Sequence, residues 1–102
     1  QADGDALVAE IVAAGGAARF VRADVSDEDQ VAAVVAAAVT AFGRLDGAFN
    51  NAGILGETDK PLHQATAANF RHVFDVNVLG VMLCLKHELG ALLRTGGGSI
   101  VN

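Results

Sequence analysis

The sequence predicts an α/β fold in which a parallel sheet is joined by helical crossovers. Three observations carry that expectation. Short extended apolar runs alternate with longer stretches of helical spacing, in the order strand, helix, strand, helix, strand. The stretches between the runs have the length of crossover units, not of hairpin loops. Finally, the run LDGAF stops abruptly in FNNAGI, residues 49–54. Adjacent asparagines are poor strand formers and costly to bury unpaired, while Gly53 leaves the backbone open to close approach. That stop marks a strand end at which something comes near the main chain.

Each element has its own signals. Residues 5–14 read as a helix with Leu7, Val8, Ile11 and Val12 on one side, and Gly15-Gly16 supply a left-handed stop. Residues 17–25, with Phe20 and Val21, read as a strand ending near Asp24. In SDEDQ, Ser26 or Asp27 caps the next helix, and Glu28 and Asp29 suit its positive end. Val31, Val34, Val35, Ala38, Val39 and Phe42 share one face of that helix, and Gly43 closes it. Residues 45–50 form a second strand and residues 54–61 a polar loop. A long helix begins at Ala65 or Thr66 and runs to about Arg94 despite Gly80 and Gly90. TGGG turns the chain into a third strand, residues 99–102.

Composition narrows the function classes. The chain has 102 residues, 52% of them hydrophobic, enough for one core. Its formal charge is −5, and the seven Lys and Arg are scattered, so no basic stripe offers itself to a phosphate backbone and nucleic acid is not an expected partner. Cys84 is the single cysteine and reads as a buried thiol in a reducing cytoplasm. The apolar runs at 31–39 and 76–85 are too short or carry polar residues, so no membrane span and no secretory signal are expected. The chain opens without Met and stops on SIVN, and it reads as cut at both ends.

Several residues are candidates for chemistry. Asp24 can accept a hydrogen bond from an adenine amine while Val25 packs on the ring, or it can simply lead into the helix cap. Asn50 and Asn51 can tie strand ends together, and Ala52-Gly53 additionally lets a ribose or nicotinamide reach the backbone. Asn77 falls among Phe70, Val73, Phe74, Val81 and Cys84 at spacings of three and four, inside an apolar stripe. An unpartnered amide there would cost about 1–3 kcal/mol, so it is either satisfied as a structural feature or part of an active site. His63, His72 and His87 lack metal-ligand spacing, Cys84 with His87 lacks a second pair, and no metal site is expected. Ser99 has no His and Asp placed to activate it, and Lys86 reads as a solvated helix residue.

ADVSD, GRLDGAFNNAG, DVNVLG and GGGSIVN, in that order, resemble the short-chain dehydrogenase/reductase superfamily essentially from end to end. The resemblance implies a Rossmann-like doubly wound parallel sheet of which this chain is the central portion. Residues 1–102 would then be a partial NAD(P)-binding domain, lacking the amino-terminal glycine-rich unit and the carboxy-terminal catalytic and substrate part. It implies that Asp24 and Val25 flank the adenine and that Asn51, Ala52 and Gly53 line the cofactor site. It also implies that Asn77 is the asparagine of the Asn, Ser, Tyr, Lys tetrad, its backbone helping to hold a water in the proton relay to the lysine.

The cofactor would be NAD or NADP, the choosing residue falling before Gln1, and the substrate a small carbonyl or alcohol compound. The full-length parent would be a cytoplasmic homodimer or homotetramer. The family's TGxxxGxG turn, its serine and its YxxxK pair are absent, since the chain has no tyrosine. Gly90 stands where relatives often carry proline. The 102-residue piece alone is therefore expected to be inactive and, with residues 17–25 deprived of sheet neighbours, molten or aggregation-prone. Two other readings remain: a non-catalytic association module built on helix 66–94, and an unrelated α/β nucleotide or methyl-donor protein, which leaves NNAG and Asn77 unexplained.

Overall fold

A computed structural model describes residues 2–102. Helix α1, Ala2–Ala13, has Asp3 and Asp5 in its first turn, where carboxylates complement the free amides. It ends at Gly15, whose φ of 93° closes the turn while Gly16 N–H donates to the Ile11 carbonyl at 3.0 Å. Helix α2, Glu28–Phe42, takes Asp27 as its cap, with Oδ1 accepting from the N–H groups of Asp29 and Gln30 at 3.0 and 3.3 Å. Gly43, φ 88°, closes α2 by donating its N–H to the Val39 carbonyl at 2.8 Å.

The strand expected at residues 17–25 is not formed. The segment is irregular, because no described segment pairs with it and its backbone groups have no ladder to join. The other two strands are present but shorter than expected. Strand β1, Gly47–Phe49, pairs in parallel with β2, Ser99–Val101, in the register Gly47 to Ser99 and Phe49 to Val101. The ladder is continued by Asn50 N–H donating to the Val101 carbonyl at 2.8 Å. Gly98 leads into β2 where a Cβ would strike the Asp46 carbonyl oxygen and Leu92, so only glycine lets the strands start side by side.

The long helix spans the expected extent but is not uniform. Thr66 caps it, its Oγ1 accepting from Asn69 N–H at 3.1 Å. Helix α3, Ala67–Phe74, passes through one π-helical turn, Asp75–Leu79, into α4, Gly80–Leu93. A π turn inserts one extra residue and rotates the faces on its two sides by about 100°. The expected apolar stripe is corrected accordingly: Phe70 and Phe74 stack with ring centroids 4.7 Å apart but stay 62% and 49% exposed. On α4 the buried positions are Gly80, Leu83, Glu88, Ala91 and Leu92. By length and composition Ala67–Leu93 is apolar enough to cross a membrane, more than the shorter run 76–85 suggested. Its α4 half packs against α2 and buries Leu83, Glu88, Ala91 and Leu92.

The buried apolar core is small: Val31 from α2 with Leu83, Ala91 and Leu92 from α4. The radius of gyration is 16.1 Å, against about 13 Å for a compact domain of this length. Much of the apolar surface is therefore uncovered, including Phe42, Phe49, Met82 and Leu93.

Candidate functional site

Three segments converge where β1 ends: the DVS turn after residues 17–23, the NNAGI turn, and the π turn of the long helix. In the first, Asp24 Oδ1 accepts from both the N–H and the hydroxyl of Ser26, at 2.9 and 2.7 Å. The Ser26 hydroxyl and then its N–H hold the Asp24 carboxyl below the usual carboxylate range, with a smaller contribution from His72. Asp24 N–H donates to Gln30 Oε1 at 2.8 Å, which anchors the turn to α2. Asp24 thus opens with Ile54, His72 and Val76 onto a wide cleft of about 710 Å³.

Val25 sits directly on the helix. A Cβ on Gly80 would lie 2.7 Å from Val25 Cγ2, so the missing side chain of Gly80 is what admits Val25. Val25, Asn51 and Ala52 share a cavity of about 210 Å³ with Phe49, Val76 and Gly80.

Asn77 occupies the middle of the π turn, half-buried, and its carboxamide grips a single residue. Oδ1 accepts from Ile54 N–H at 2.8 Å and Nδ2 donates to the Ile54 carbonyl at 2.7 Å. The polar group in the apolar helix is thereby satisfied, and the NNAGI turn is fixed to the helix. Gly53 lies alongside, where a Cβ would make only an ordinary 3.4 Å contact with Asn77 Oδ1. Further along, Asn69 Oδ1 accepts from Glu57 N–H at 3.1 Å, a second tie between helix and loop.

The structure therefore places Val25, Asn51 and Ala52 on one cavity, Asp24 on the adjoining cleft, and Gly53 against Asn77. Sequence reading missed Glu88, which is buried and accepts from Asn50 Nδ2 at 2.8 Å. The available signal was its place four residues after Cys84 on the same helix face. Lys86 is the exposed helix residue expected, and its Nζ lies 2.6 Å from Glu28 Oε2, with His87 Nε2 on the same oxygen at 2.8 Å. These partners, Lys86 foremost, hold the Glu28 carboxyl below its ordinary value. The Cys84 thiol is half-buried and pushed up, mainly by burial and further by the charge of Glu88.

The profile of the family described as enoyl-(acyl carrier protein) reductase matches residues 1–102. The chain belongs to the short-chain dehydrogenase/reductase superfamily. A 2,5-dichloro-2,5-cyclohexadiene-1,4-diol dehydrogenase of Sphingobium indicum is 45% identical over 100 residues, covering 97% of this chain and 38% of that enzyme. The crystal structure of a metagenomic short-chain oxidoreductase in complex with NADP superposes with a TM-score of 0.83 at 35% identity, covering 94% of this chain and 43% of the other. That of an NAD+-bound xylitol dehydrogenase gives 0.89 at 31% identity, covering 97% and 38%. The fold is accordingly the matching portion of the Rossmann-like α/β architecture of short-chain dehydrogenases/reductases. The chain spans well under half the length of the relatives it matches.

Proposed function

We propose that residues 1–102 are the central part of the dinucleotide-binding domain of an NAD(P)-dependent oxidoreductase acting on a small carbonyl or alcohol substrate. The observation that carries this reading is the bidentate grip of Asn77 on Ile54, which sets the Asn51-Ala52-Gly53 segment beside the cavity. The residues fit a dinucleotide. Both bonds from Ser26 end on Asp24 Oδ1, which leaves the other carboxylate oxygen of a residue lining an open cleft as an acceptor, as an adenine amine would require. Val25 offers an apolar face beside it. Gly53 carries no side chain although the protein's own packing would admit a methyl group, so the space is left for a ligand.

When bound, the nicotinamide supplies or accepts the hydride. The chain's own residues position it. Asp24 and Val25 hold the adenine end, Asn51, Ala52 and Gly53 form the wall, and Asn77 fixes that wall to the helix. The Asn77 backbone holds the relay water, and the family's tyrosine and lysine, needed for proton transfer, belong to the full-length protein. Relatives complexed with NADP and with NAD+ support either cofactor, and the Sphingobium dehydrogenase supports an alcohol substrate. We place the full-length enzyme in the cytoplasm as a homodimer or homotetramer, associating through exposed Phe70, Phe74, Met82 and Leu93 on the long helix. The matches are to dehydrogenases and reductases, which leaves the non-catalytic association module without support.

The test is titration of the full-length protein with NAD, NADP and their reduced forms, followed by cofactor-linked oxidation of a panel of secondary alcohols. Micromolar binding weakened in Asp24→Ala is expected. A full-length protein that binds none of the four would overturn the reading.

A further inference from the structure

Glu88 is buried to 8% exposure, and no other charged side chain among the described residues is buried. Removing a carboxylate from water is costly unless it is paired or hydrogen-bonded, and Glu88 has no ion pair among the described residues. Its neighbours along the helix, Lys86 and His87, are engaged with Glu28. Among the described residues its partner is one amide, that of Asn50, with Nδ2 donating to Oε1 at 2.8 Å.

That amide is a junction. The same Nδ2 donates to Asn102 Oδ1 at 3.0 Å, and Asn50 N–H donates to the Val101 carbonyl at 2.8 Å. The carboxyl ends of β1 and β2 and the middle of α4 therefore meet at Asn50, although they lie 52 and 38 residues away along the chain. Asn50 is followed at once by Asn51 and Ala52, and all three line the 210 Å³ cavity together with Glu88. A carboxylate can only accept, so it also fixes the sense of the amide: Nδ2 faces the helix and Oδ1 faces away.

We propose that Glu88 is a positioning residue for the cofactor wall. It orients Asn50, and through Asn50 it holds the two strand ends and the start of the Asn51-Ala52-Gly53 turn in the geometry that receives the dinucleotide. An apolar residue would fill the same space among Val25, Val34, Val81 and Cys84 and leave Asn50 free to rotate. The role rests on the dinucleotide reading above, and the experiment separates the two.

In the full-length enzyme, Glu88→Leu and Glu88→Gln are compared with wild type for dinucleotide Kd, cofactor KM, kcat and melting temperature. Glu88→Gln retains volume and an acceptor oxygen. The expected result is a Kd and cofactor KM raised about tenfold in Glu88→Leu with kcat changed much less, and largely restored in Glu88→Gln. In an Asn50→Ala background, Glu88→Leu should add no further loss, because the bond is already gone. The Cys84 thiol gives an independent readout: in Glu88→Gln its alkylation should set in at lower pH, since a neighbouring negative charge has been removed. A Glu88→Leu enzyme whose melting temperature falls while Kd and KM stay put would overturn the positioning role and leave the functional reading intact. Wild-type enzyme that binds no dinucleotide would overturn both.

Discussion

Replacing Asn77 with alanine removes two hydrogen bonds that end on one residue, the N–H and the carbonyl of Ile54. Each is worth about 1 kcal/mol net, giving about 2 kcal/mol of local stabilisation. Ile54 and Asn77 are only half-buried, so water recovers part of this and the loss falls between about 1 and 2 kcal/mol. The opening equilibrium of the turn should then rise by roughly 5- to 30-fold. Native-state hydrogen exchange at the Ile54 amide of the full-length protein reads that number directly, with the Gly43 amide that closes α2 as an unaffected control. Asn77→Asp should fall further toward the open state than loss of one bond implies. Its carboxylate still accepts from the Ile54 N–H but faces the Ile54 carbonyl oxygen with no proton to donate. If the Ile54 amide exchanges less than threefold faster in Asn77→Ala, the asparagine is not what holds the turn.

Other outcomes follow from the same geometry. Gly80→Ala forces a methyl to 2.7 Å from Val25 Cγ2; overpacking of about 1–3 kcal/mol outweighs the roughly 1 kcal/mol helix-propensity gain, so a raised melting temperature would contradict the contact. Gly53→Ala meets only a 3.4 Å contact, so stability should change by less than about 0.5 kcal/mol while dinucleotide affinity drops; unchanged affinity by calorimetry would show that nothing needs that space. Glu28 has its folded pKa below its ordinary value, Lys86 being the largest cause and His87 the next. Its contribution is therefore fully present above the ordinary glutamate range and lost as pH falls through the lower folded value, so the melting-temperature gap between wild type and Glu28→Gln should narrow on acidification below that range. Residues 1–102 expressed alone should melt broadly and bind a hydrophobic dye, given Phe42, Phe49, Phe70 and Leu93 in solvent; a sharp cooperative transition of the monomer would refute this.

The sequence made the crossovers, the Asp27 cap and the Asn77 neighbourhood legible because each rests on local rules: side-chain spacing, short polar residues before a helix, and amide chemistry. Residues 17–25 carry strand-forming side chains, yet a strand is defined by its neighbours, and composition cannot supply a partner. The π turn was invisible for a different reason. DVNVL contains neither proline nor glycine and continues the helical pattern through the insertion, so the predicted stripe ran on unrotated from Phe70 to Cys84. Glu88 was opaque because a charged residue on an apolar helix looks solvated until its partner, here Asn50, is brought across from elsewhere in the chain.

The parallel pairing of β1 with β2 constrains the order in which this chain can fold. Gly47–Phe49 meets nothing local, and its partner arrives only after the loop, the whole of Ala67–Leu93 and the TGGG turn have been laid down. Closing that 52-residue interval costs about 3.5 kcal/mol of chain entropy, which a ladder this short at best offsets. The helix must dock first and carry Ser99–Val101 into reach. Pairing of β1 with β2 is then a late event that depends on packing between α2 and α4, and changes at Val31, Leu83 or Leu92 should delay that pairing without touching a strand.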